Sequence, residues 1–124
     1  MKRDNGKKPA ILIVDDEPAN LRLLATMLTE HQYSIRTVIN GRMALGSIAM
    51  EKPDLILLDI NMPEMNGYEV CQRLKTDEHA QDIPIIFISA LSETLDKVKA
   101  FTVGGVDYIT KPFQIEEVLA RVEN

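Results

Sequence analysis

The sequence has a single cysteine, Cys71, so neither an intramolecular disulfide nor a cysteine-based metal cluster is open to it, in keeping with a reducing compartment. Cys71 falls inside a helical pattern and is expected to be inert packing. No apolar run reaches transmembrane length. The basic cluster Lys2, Arg3, Lys7 and Lys8 has no secretory stretch behind it, because Ala10 to Val14 stops at Asp15. The expectation is a cytoplasmic chain without membrane insertion. Positive charge is also in deficit: 14 Lys and Arg stand against 19 Asp and Glu, a net charge of -5, which offers no general attraction to DNA or RNA. Internal repeats and low-complexity stretches are missing too.

What is present fits one globular domain. The chain has 124 residues, 45% of them hydrophobic and 27% charged, enough for a single core of ordinary size. Residues 1–8, with Gly and Asn among them, are expected to form a flexible N-terminal segment, and residues 9–124 the domain. The last helical pattern reaches Asn124 without a capping glycine, so the domain is expected to belong to a longer protein.

Short apolar runs recur along the chain at Ala10–Val14, Leu55–Leu58, Ile85–Ile88 and, more weakly, Val106–Ile109, and they read as strands. Ser34–Ile39 is β-branched, alternates less clearly and is flanked by Asn40-Gly41, which predicts an edge strand. Between them, Pro18–His31, Arg42–Glu51, Gly67–Lys75, Thr94–Val103 and Gln114–Val122 carry helical spacing. A strand and helix repeated five times argue for an α/β fold, a parallel sheet covered on both faces.

One segment, "KPDLILLDINMPEMNG" from Lys52 to Gly67, ends a buried run with an acid, Asp59. In open parallel sheets, ligands bind beyond the carboxyl ends of the strands. Asp15 and Asp16 follow the first strand, Asp59 ends the third, Ser89 ends the fourth and Lys111 follows the fifth, so parallel topology carries all five to one edge. Clustered carboxylates repel by roughly 1 to 4 kcal/mol per pair at surface dielectrics, and a hard divalent cation such as Mg²⁺ compensates them with oxygen coordination. His31 and His79 lie near helix ends, away from this edge, so zinc has no site. With Mg²⁺ in place, Asp59 faces an electrophile that the metal and Lys111 both polarise, while Ser89 donates to another oxygen. In-line attack of a carboxylate on phosphorus gives an aspartyl phosphate.

"ILIVDDEP", "DLILLDINMPEMNGYE", "IPIIFISA" and "GGVDYITKPF", in this order, resemble the receiver domains of two-component response regulators, the chemotaxis-regulator kind included, across essentially the whole chain. The resemblance implies a flavodoxin-like, three-layer (βα)5 fold with strand order 2-1-3-4-5. It implies that Asp59 is the phosphoacceptor, that Asp16, Asp59 and the backbone carbonyl of Asn61 ligate Mg²⁺, or Mn²⁺ in its place, and that Asp15 holds a metal-bound water. Ser89 and Tyr108 would be the switch pair and Lys111 the partner of the phosphoryl oxygens. The base rate makes Lys111–Pro112 trans; the resemblance implies cis. Gly67 would allow a positive φ or close backbone approach.

The function so implied is a phosphorylation-driven switch. It takes a phosphoryl group from a sensor histidine kinase or phosphotransfer domain, catalyses only its own phosphorylation and dephosphorylation, and signals through the fourth helix, fifth strand and fifth helix to an output domain or partner. Lys97, Lys99, Asp107 and Arg121 could support a homodimer across that surface, or be a solvated charged face. Leu23, Leu24, Met27 and Leu28 are expected to span the buried arc of the first helix, which leaves Leu21 at its margin to dock the kinase. Asn61 and Leu91, two residues beyond Asp59 and Ser89, stand at the mouth of the site, and Leu91 cannot orient water, which implies slow to moderate self-dephosphorylation.

The single residues also have plainer readings: Asp16 as a helix cap before Pro18, Asp59 as a strand terminator, Ser89 as a strand-end hydroxyl and Tyr108 as a core aromatic. A phosphohydrolase using the same intermediate would want an acid where Asn61 stands. A flavodoxin-like cofactor module would want a phosphate cradle where "DDEP" stands, and a receiver that is never phosphorylated would not need all of Asp15, Asp16, Asp59 and Lys111.

Overall fold

A computed structural model of the chain describes residues 7–90 and 97–124. The first six residues of the N-terminal segment, the expected helical start at Thr94, and Leu91 lie outside the described residues, as does the side chain of Lys97. Five strands, β1 (Ala10–Val14), β2 (Ser34–Val38), β3 (Leu55–Asp59), β4 (Ile85–Ala90) and β5 (Asp107–Lys111), alternate with five helices. The helices are α1 (Pro18–Glu30), α2 (Gly41–Met50), α3 (Gly67–Lys75), α4 (Lys97–Thr102) and α5 (Ile115–Glu123). The sheet is parallel throughout, in the order β2-β1-β3-β4-β5. This is the flavodoxin-like arrangement, with β2 and β5 at the edges.

The inner strands read as unbroken apolar runs because both sheet faces are covered, and alternation sorts their side chains between two cores. Ile11, Ile13, Leu55, Leu57, Ile86 and Ile88 pack with Leu24 and Leu28 of α1 and Val118 and Val122 of α5. Leu12, Val14, Ile56, Leu58, Ile85 and Phe87 pack with Ala44 and Ile48 of α2 and Val70, Cys71 and Leu74 of α3. Cys71 is fully buried, donates to the Val103 carbonyl at 3.3 Å, and burial pushes its thiol up to about 11. It is packing, not a nucleophile.

The helices start where local chemistry permits. Asn40 accepts from the Met43 N–H at the start of α2, and Asn66 with Glu69 forms a reciprocal capping box on α3. In α1, Pro18 occupies the first turn. The expected arc of α1 is corrected here. Leu21 is buried, Leu23 is exposed, and the core face is Leu21, Leu24 and Leu28. At about 100° per residue, spacings of three and seven return to one side, whereas Leu23 points to the opposite side. The basis for placing Leu21 on a kinase-docking surface is therefore gone.

Asp59 ends β3 as expected, in register with Ile88. Two other strand ends differ from expectation: β4 runs past Ser89 to Ala90, and β5 runs from Asp107 to Lys111, so Lys111 ends the strand. The run starting at Val106 misled because Val106 is an exposed residue ahead of the strand.

Candidate metal centre at the carboxyl edge of the sheet

Parallel register sets the carboxyl ends of β1, β3, β4 and β5 side by side. Val14 lies opposite Leu58, Asp59 opposite Ile88, and Ala90 opposite Lys111. One carboxylate oxygen from each of Asp15, Asp16 and Asp59 therefore lies within 4.8 Å of the others. Asp15 is fully buried, Asp59 is 3% exposed, and Asp16 faces solvent. The Lys111 Nζ stands 3.4 Å from Asp15 Oδ2 and 3.9 Å from Asp59 Oδ1. Ser89 is buried beside them, its hydroxyl donating to the Ala90 carbonyl across a long 3.4 Å contact. Tyr108 is half-buried on the edge strand, and the Lys111–Pro112 bond is cis.

Both buried acids bend the backbone after them in the same way. Asp15 Oδ1 accepts the Glu17 N–H at 2.9 Å, and Asp59 Oδ1 accepts the Asn61 N–H at 3.3 Å. Such i to i+2 turns are a habit of aspartate at a strand end, and that habit is the sequence signal by which the Glu17 and Asn61 amides, missed as site components, could have been found. The loop from Asp59 closes when the Gly67 N–H donates to the Ile60 carbonyl at 2.8 Å. A Cβ at Gly67 would meet the Asp59 carbonyl oxygen at 2.4 Å, so close approach rather than positive φ is what the glycine supplies.

Electrostatically the site is under-compensated. Burial first, then the Asp15 charge and more weakly Asp16, push Asp59 from 3.8 up to about 7, against the opposing pull of Lys111 and the Asn61 N–H. Asp15 Oδ2 is buried without a hydrogen-bond partner among the described residues, and Lys111 is its ion-pair partner. An all-oxygen donor set with an orphaned buried oxygen and one lysine to balance three acids fits a hard divalent cation. The described residues include no other group of three metal-binding side chains.

Residues 11–123 match the family model of the response regulator receiver domain. The chain belongs to that family. A receiver domain of a two-component response regulator is a phosphorylation-dependent signalling switch, and the acidic edge of this one lies where the fold brings its strands to a common end. Over 92% of its length the receiver domain is 42% identical to the DNA-binding dual master transcriptional regulator RpaA of Synechocystis. It spans 47% of that protein, and about half the length of several other curated relatives. A putative response regulator from Chloroflexus aurantiacus superposes with a TM-score of 0.90 at 31% identity, over 95% of this chain and 97% of that one. The receiver domain of sensor histidine kinase PA1611 from Pseudomonas aeruginosa superposes at 0.85 and 28% identity, over 94% and 95% of the two chains. That structure holds a magnesium ion coordinated in the active-site cleft.

On the opposite flank, Arg121 of α5 pairs with Asp107 of β5 at 3.3 Å and lies over the Tyr108 ring, 6.0 Å from its centroid. Two of the charges expected to reach a second copy thus satisfy each other within the chain. Val98 and Phe101 of α4 are exposed. No helix among the described residues is long and apolar enough to cross a membrane.

Proposed function

We propose that the chain, in the cytoplasm, takes a phosphoryl group from the phosphohistidine of a sensor histidine kinase or phosphotransfer domain onto Asp59. The observation that carries the reading is the enclosure of Asp59 with Asp15, Asp16 and Lys111 at the end of β3. An Asp59 oxygen attacks phosphorus in line, the P–N bond to the donor imidazole breaks, and the imidazole leaves with the electron pair. Asp16, Asp59 and the Asn61 carbonyl would hold Mg²⁺ directly, or Mn²⁺ in its place, with Asp15 acting through a water. When bound, the cation neutralises the carboxylates and the phosphoryl oxygens during transfer.

The chain's own residues do the rest. The Glu17 and Asn61 amides fix the orientation of the two buried carboxylates. Lys111 donates to a phosphoryl oxygen, and the Ser89 hydroxyl gives up its long bond to Ala90 for a second one. Tyr108 turns inward behind Ser89, and the change reaches the surface of α4, β5 and α5, where Val98 and Phe101 offer apolar contact to an output domain or partner. The domain catalyses only its own phosphorylation and dephosphorylation. The DNA-binding relative RpaA is about twice as long, and in this reading any nucleic-acid contact belongs to parts other than this acidic domain.

Incubation with acetyl phosphate and Mg²⁺, followed by intact mass measurement, tests the reading. Wild type gains one phosphoryl unit and Asp59→Asn gains none. An adduct of equal yield on Asp59→Asn would place the acceptor elsewhere.

A further inference from the structure

Helix α2 carries an apolar stripe that the fold leaves outside. Its core face is Gly41, Ala44 and Ile48. At about 100° per residue, Met43 and Met50 lie together on the opposite face with Gly46 beside them. Met50 is 91% exposed, Met43 47%, and Ile39, just ahead of the helix, 49%. A glycine inside a helix costs about 1 kcal/mol relative to alanine. The fold does not require it, since a Cβ at Gly46 would meet nothing within 4 Å. An exposed glycine between two exposed methionines is what close approach by another helix needs.

We propose that α2 pairs antiparallel with α2 of a second copy of this chain, about a two-fold axis at the Gly46–Ser47 bond. The segment Met43-Ala-Leu-Gly-Ser-Ile-Ala-Met50 reads nearly alike in both directions. Residues equidistant from that bond come level across the axis: Met43 with the partner's Met50, and Gly46 with the partner's Ser47, which sets the two glycines on either side of the axis where the backbones cross. Arg42 comes level with the partner's Glu51, so opposite charges stand at matching heights at both ends of the contact. Glu51 already accepts from Arg36 through Oε2, and a carboxylate has room for a second guanidinium. A second copy supplies both the thioether stripe and the acid. One helix face is a small interface, so the dimer is weak and concentration-dependent.

Sedimentation equilibrium of the intact chain, from micromolar to millimolar, together with oxidative trapping of Gly46→Cys, tests this. The mass should rise toward twice the monomer with concentration. Met50→Glu should return it to the monomer, while Val98→Glu on α4 should leave it unchanged. Gly46→Cys should form a covalent dimer well ahead of Val98→Cys, and Cys71 is too buried to interfere. A monomer throughout overturns the proposal. So does failure of Gly46→Cys to cross-link, or dissociation by Val98→Glu instead of Met50→Glu.

Discussion

The two ends of β3 each carry an aspartate, and their surroundings separate them. At the amino end, Asp54 Oδ2 accepts the Ala10 N–H at 2.7 Å and ties the entry of β3 to the start of β1. At the carboxyl end, Asp59 is buried near two other acids, with a long bond from Asn61 and a distant Lys111 as its compensation among the described residues. An acid given a good donor is a staple that tightens the fold. An acid enclosed with other acids stores unfavourable charge, which a cation relieves and phosphoryl transfer uses.

The largest expected effect that would sharpen this contrast is on stability against pH. Without metal, Asp59 titrates at about 7 in the folded chain against 3.8 for an ordinary aspartate. Between those values the folded state holds a proton that the unfolded state has lost. The contribution is fully present below about 3.8 and is lost as pH rises through 7. At about 1.4 kcal/mol per pH unit, enclosing the ionised group costs a few kcal/mol in mild alkali. Urea unfolding of metal-free wild type should therefore weaken from mildly acidic to mildly alkaline buffer, Asp59→Asn should stay nearly flat, and Mg²⁺ should restore the wild type. A wild-type profile as flat as that of the variant would dissolve the contrast.

Next comes Gly67→Ala. Its new methyl carbon would press on the Asp59 carbonyl at 2.4 Å and the Ile60 Cα at 2.9 Å, both backbone. Displacing them should cost about 3 kcal/mol in unfolding free energy and slow phosphoryl uptake from acetyl phosphate. Uptake at the wild-type rate would mean that the loop tolerates movement. Smallest is Asp54→Ala, which removes the acceptor for the Ala10 N–H and should cost about 2 kcal/mol. The phosphoryl adduct should form at the wild-type level, and its loss would make the amino end of β3 part of the site.

Much of this was legible in the residues because it follows from local pattern. Fully apolar runs marked strands buried on both faces, and acids placed directly after them could only fall at the carboxyl edge. The order of strands came from family resemblance, since nothing in the spacing says which strand lies in the middle. The face of α1 is not legible in the sequence because its closely spaced apolar residues, Leu21, Leu23, Leu24, Met27 and Leu28, allow more than one arc. Burial in the core that holds Ile13 and Leu57 selects Leu21 over Leu23.

By itself the sequence determined the parallel α/β class and the gathering of Asp15, Asp16, Asp59, Ser89 and Lys111 at one end, since period and order need no distant partner. Only the tertiary structure decided that Asp15 is buried while its neighbour Asp16 is exposed, that Asp59 is raised, and that Asp54 is a staple. Burial, hydrogen bonding and charge proximity depend on what other segments bring within a few ångströms, and no residue carries that information in its own identity.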